Sequence, residues 1–128
     1  MPDVEWSLLC EYCLLDVAGK LSIMGIFDRV VAPKLPLQQP ALFVVTRWRT
    51  QPDQPFILET RLWTPTEQLL QSTGQVTVAP DPAGHNLTIN QFIGLTFDRE
   101  GQYLVELLAE NETVRYYPWQ LVLRSGPA

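Results

Sequence analysis

Apolar and polar residues alternate with a period of two along much of the chain. Between Pro55 and Thr64, Phe56, Leu58, Thr60 and Leu62 fall on one side, and Ile57, Glu59, Arg61 and Trp63 on the other. That pattern predicts a strand with one dry face. Ala41–Thr50 divides the same way, with Phe43, Val45, Arg47 and Arg49 set against Leu42, Val44, Thr46 and Trp48. Its first half is apolar on both faces, which places that end in the middle of a sheet. Gln102–Glu110 sets Tyr103, Val105, Leu107 and Ala109 against Leu104, Glu106 and Leu108. Lys20–Val31 is rich in Ile, Val and Phe and reads as a strand, with Gly25 marking a bulge or a close backbone approach. Glu5–Leu15 fits a strand or a helix. Glu67–Ala79 holds one or two short strands around Gly74, and Thr113–Arg124 is the last strand. In His85–Phe97 the alternation slips near Gln91, where a bulge or break is expected.

The segments between these stretches are turn formers. Pro33, Pro36 and Pro40 punctuate an extended loop, and Gln51–Pro55, Pro80–Gly84, Asp98–Gly101 and Glu110–Glu112 read as turns. Eleven prolines and seven glycines suit many short strands better than long helices. The expectation is one domain over residues 1–128, an all-β, antiparallel Greek-key sandwich of seven to nine short strands. In FDREGQY a tyrosine opens a strand just after a turn glycine. This arrangement predicts a tyrosine corner, with the Tyr103 hydroxyl bonded to backbone near Asp98 or Arg99.

Composition narrows the function classes. Hydrophobic residues make up 46% of the chain, and the charged fraction of 18% lies below the average of about 25%. The net charge is −5, and Lys20 and Lys34 are the only lysines. Without a basic run there is nothing to displace counterions from a phosphate backbone, so no nucleic-acid partner is expected. No window reaches 18 uninterrupted apolar residues, and MPDVEWSLLC lacks a basic region before an apolar run. The expected location is the cytoplasm, with no membrane association. On that reading the sequons at Asn86 and Asn111 are chance matches.

Candidate chemistry is sparse. Cys10 and Cys13 form a C-x-x-C, but the chain has no other cysteine and His85 is its sole histidine. On a regular strand the two thiols would point to opposite faces, unable to share an ion or form a bridge. A Ser-His-Asp or Cys-His arrangement would depend on His85, which follows a turn, and no G-x-S-x-G occurs. The acids Asp16, Asp28, Asp53, Asp81, Asp98 and Glu100 are scattered. No catalytic residues, metal ligands or cofactor are therefore assigned.

The aromatics carry more. Trp63 shares a polar face with Glu59 and Arg61, whereas Trp48 belongs to the core side. In the last strand Pro118 marks an edge or a bulge, flanked by Tyr116, Tyr117 and Trp119. An aromatic edge invites another strand, although the proline can equally act as a blocker.

The segment CEYCLLDVAGKLSIMGIFDRVVAPKLPLQQPALFVV, with its GKLSxxGxFDR-like signature, resembles a family of small uncharacterised bacterial proteins, and GQYLVELL is similar too. Cys13 departs from that pattern. The resemblance implies a bacterial, cytosolic all-β domain and carries no activity. The function expected from the residues is a non-enzymatic module that recognises a protein partner or its own copy through Arg61, Trp63, Tyr117 and Trp119. The alternatives are a carbohydrate-binding module using the same aromatics, and a small enzyme centred on His85 and a cysteine.

Overall fold

The computed structural model describes residues 2–79 and 81–124. Among these residues the chain forms ten strands and no helix: β1 (Asp3–Leu15), β2 (Leu21–Phe27), β3 (Arg29–Ala32), β4 (Leu37–Arg49), β5 (Phe56–Trp63), β6 (Leu69–Ser72), β7 (Val76–Val78), β8 (His85–Phe97), β9 (Gly101–Ala109) and β10 (Glu112–Leu123). A four-stranded sheet has the order β2-β1-β4-β8, and a second has the order β3-β10-β9-β5-β6, with β7 beside β5. The two sheets pack as a sandwich around one apolar core.

The fold class is the one expected, all-β and two-layered, but the strand count is higher and the pairing is mixed. Both differences arise at Asp28. Lys20–Val31 is not one strand. At Asp28 the chain leaves the first sheet, and Arg29–Ala32 runs parallel to Gln120–Leu123 in the second. The Asp28 carbonyl accepts the Gln120 N–H at 2.9 Å, which fixes that crossing.

The proline loop is also shorter than expected, because β4 starts at Leu37 and includes Pro40. Gln39 pairs with Leu95 and Ala41 with Ile93, but the position between them is skipped, where Pro40 faces Gly94 with φ 69°. A residue without an N–H is tolerated there because the ladder is already broken. Gly94, rather than Gln91, is the site of the slip in β8.

The inward faces follow the alternation. β5 buries Phe56, Leu58, Thr60 and Leu62 and leaves the residues between them half-buried. Leu42, Val44 and Trp48 of β4 join the same core, while Phe43 and Val45 face outward into a second, smaller cluster with Trp6, Leu8 and Cys10. β4 lies between β1 and β8, the central place that its apolar first half implied. The Tyr103 hydroxyl donates to the Arg99 carbonyl at 2.8 Å, so the tyrosine corner is present.

Candidate functional site

The outward face of the second sheet holds a grouping of polar and aromatic side chains. Trp63 ends β5 on this face, and Leu104 and Glu106 of β9 lie beside it through the pairs Trp63↔Leu104 and Arg61↔Glu106. Tyr116 comes next on β10, opposite Glu106. After Trp63 the chain turns sharply. Glu67 donates its N–H to the Thr64 carbonyl at 3.0 Å and adopts φ 63°, which brings its side chain to the same place. Trp63, Glu67, Leu104, Glu106 and Tyr116 together line a groove of about 290 Å³. Tyr116 is 67% exposed and forms its open wall.

The groove floor is fixed by hydrogen bonds. The Trp63 indole Nε1–H donates to Glu106 Oε1 at 2.9 Å, and the Thr113 hydroxyl donates to Glu106 Oε2. Arg61 grips Glu59 with two contacts, Nε–Oε2 at 2.7 Å and Nη2–Oε1 at 3.3 Å, and its Nη1 lies 3.7 Å from Glu106. The Ser72 hydroxyl adds a third contact to Glu59 at 2.8 Å. The Arg61 and Ser72 hydrogen bonds hold the Glu59 carboxyl below the usual carboxylate range, and the Glu59 contact raises Arg61. Charge-assisted, bidentate pairs of this kind fix geometry better than single contacts. The ring of Trp63 is thereby held in one orientation, with part of it open to a ligand.

Of the four residues expected to form a docking face, Arg61 and Trp63 lie here and the other two do not. Trp119 is 1% exposed and packs among Phe27, Phe97 and Tyr103, stacked on Tyr103 at 4.7 Å. Its Nε1 is buried without a hydrogen-bond partner. Tyr117 also faces inward, and its hydroxyl meets Ser7 Oγ of the opposite sheet at 2.9 Å. The cause is a bulge between Thr113 and Arg115. Val114 already packs against the core, so unbroken alternation would send Tyr116 inward and Tyr117 outward. The extra residue reverses that parity and delivers Tyr116 to the groove. Pro118 stands on a stretch of β10 whose far side has no strand, since β3 covers only Gln120–Leu123. The proline is therefore an edge residue, as its missing N–H requires.

The thiols depart from expectation. Cys10 and Cys13 lie in one buried cluster on the outside of the first sheet, not on opposite faces. The β1–β2 ladder skips the position where Glu11 faces Gly25, and Gly25 has φ 69°. Regular alternation fails at that point. Burial, and then the neighbouring Cys13, push the Cys10 thiol up to about 11, and burial also raises Cys13. Among the described residues no third His, Cys, Asp or Glu completes a metal-binding group with them. His85 lies far away. It pairs with Arg49 in the ladder and places Nδ1 3.3 Å from Glu5 Oε1, near the start of β1. Arg49 also pairs with Asp3, seven residues before Cys10, or roughly 23 Å along the strand. The His85–cysteine arrangement is not formed.

Among solved structures, the chain is similar to Pseudomonas fluorescens alkylpurine DNA glycosylase AlkC bound to DNA containing an abasic site analog, with a TM-score of 0.54, 7% identity, and coverage of 94% of this chain and 30% of that one. The chain thus spans less than a third of that protein's length, and the likeness is one of fold. No curated protein matches the sequence. Residues 5–122 match the profile of a family of unknown function, DUF6941, and the chain belongs to that family.

Proposed function

We propose that this domain is a non-enzymatic binding module of the bacterial cytoplasm that docks a protein partner on the outward face of its second sheet. The observation that carries this reading is the partly buried Trp63. It is held by Glu106 at 2.9 Å and opens onto a groove walled by Tyr116 and Leu104. Rigid, partly exposed Trp and Tyr side chains are the usual anchors of protein interfaces, since they supply large contact area at low entropic cost. Arg61 is held beside the groove by Glu59 and supports its wall. Tyr116 replaces Tyr117 and Trp119 as the second aromatic anchor.

Two unpaired, buried thiols fit a reducing compartment. A net charge of −5 opposes a phosphate-backbone partner, so the DNA bound by the glycosylase is not carried over to this chain. The same two aromatic rings could stack on a sugar, which makes glycan binding the competing outcome of the test.

The test is affinity capture from a bacterial lysate with wild-type protein and with the Trp63→Ala/Tyr116→Ala double variant. Circular dichroism establishes that both are folded. A stoichiometric protein captured by the wild type and lost with the variant supports the reading. Equal capture by both rejects it. Quenching of Trp63 fluorescence by soluble oligosaccharides, with no protein captured, replaces it with the glycan reading.

A further inference from the structure

The first sheet ends at β2, which pairs with β1 on one side and with nothing on the other. Edge strands in natural proteins usually carry a charge or a proline that stops further pairing. Leu21–Phe27 reads LSIMGIF and has neither, its one interruption being the left-handed Gly25. The hairpin that β2 forms with β1 exposes Tyr12, Leu14, Leu15, Met24 and Ile26, with Ile26 at 62% and Met24 at 53%. Of the other open edges, β8 carries Asn86, Thr88, Asn90, Gln91 and Thr96, the Glu112–Trp119 stretch of β10 carries Pro118, and β3 and β6 are four residues each.

Charges bracket the uncharged strand in a self-complementary way, with Lys20 before it and Asp28 after it. Both are exposed, and neither has an ion-pair partner among the described residues. We propose that β2 is a homodimer seam, in which two copies pair their β2 strands antiparallel about a two-fold axis at Met24. In that register the Lys20 end of each strand lies beside the Asp28 end of the other, just beyond the paired residues, and symmetry makes the contact twice. Cross-strand pairs of opposite charge favour pairing, and like charges oppose it. Gly25, the irregular residue of the strand, then faces Ile23 of the second copy and leaves room for its side chain. The two four-stranded sheets merge into one, and the exposed Met24 of each copy meets its counterpart at the axis.

Any other partner strand would satisfy the backbone of β2. A second copy necessarily presents the same two charges in reversed order, and this favours self-association. The proposal does not rest on the Trp63 groove, which lies on the other sheet, and the Trp63→Ala/Tyr116→Ala variant is expected to dimerise normally.

Sedimentation equilibrium of the full chain, from about 1 μM to about 1 mM, measures the association. Wild type is expected to show a monomer–dimer equilibrium, and Met24→Lys, at an exposed position, to be monomeric throughout. Lys20→Glu and Asp28→Lys alone each create two like-charged pairs and should weaken dimerisation about tenfold or more. The Lys20→Glu/Asp28→Lys double variant restores opposite charges and should return to within about threefold of wild type. A wild type that stays monomeric at the highest concentration overturns the proposal. So does a dimer that ignores the single reversals, or one that the double variant fails to restore.

Discussion

Tyr103 shows how one side chain joins a turn to the core. Its ring stacks on Trp119 at 4.7 Å, while its hydroxyl reaches back to the Arg99 carbonyl at 2.8 Å. Replacing it with phenylalanine keeps the ring and removes the hydrogen bond. Tyr103→Phe is expected to cost about 1 kcal/mol in urea unfolding without altering the circular dichroism spectrum. A variant as stable as wild type would mean that the corner contributes nothing. Trp119→Ala removes a fully buried indole and should cost about 3–5 kcal/mol, a folding defect and not a binding defect. That contrast is why the docking test uses Tyr116.

At the scale of elements, the turn before β8 is tied to the end of β4. Thr50 donates its N–H to the Gly84 carbonyl at 2.7 Å, and the Asp81 side chain accepts from the N–H groups of Ala83 and His85. Pro80, the first residue of the expected tight connection, lies outside the described residues. Gly84 has φ 76°, and a Cβ there would lie 2.7 Å from the Thr50 carbonyl oxygen. Gly74 has φ 68° with open space around it. Alanine at Gly74 therefore meets only the left-handed backbone penalty, about 1 kcal/mol, while alanine at Gly84 adds a clash with backbone and should cost about 3 kcal/mol in all. Thermal unfolding of the two variants compares them directly. Equal losses would show that the β4–β8 corner gives way freely.

For the whole molecule, two titratable groups, one between the sheets and one outside the first, set the response to alkali. Burial pushes the Tyr117 hydroxyl, which meets Ser7 across the sandwich, up to about 12 from 10.0, and the Cys10 thiol rises to about 11 from 9.0. Both groups stay protonated in the native state after the unfolded chain has begun to release its protons. The stability they confer is complete below pH 9 and falls as pH climbs through their native values. Urea midpoints should be lower at about pH 10.5 than at about pH 8, and the drop should be smaller in Cys10→Ala. Midpoints unchanged between those two values would show that neither group is protected from solvent as the structure indicates.

Sequence alone determined what depends on side-chain period and on local turn chemistry. The dry face of β5, the inward Leu42, Val44 and Trp48, the corner at Tyr103 and the polar setting of Trp63 all follow from residues a few positions apart. Tertiary structure decided whatever depends on an interruption of the ladder, since one extra or skipped residue reverses every side chain beyond it. The bulge at Thr113/Arg115 exchanged Tyr117 for Tyr116 in the groove, and the irregular Glu11–Gly25 position brought Cys10 and Cys13 together. The crossing at Asp28 is of the same kind. Asp28-Arg29 interrupts the apolar run Lys20–Val31, but such a pair fits the exposed face of one long strand as well as a crossing between two sheets. The Gln120 N–H that closes the second arrangement lies far along the chain, so only the folded molecule supplies it.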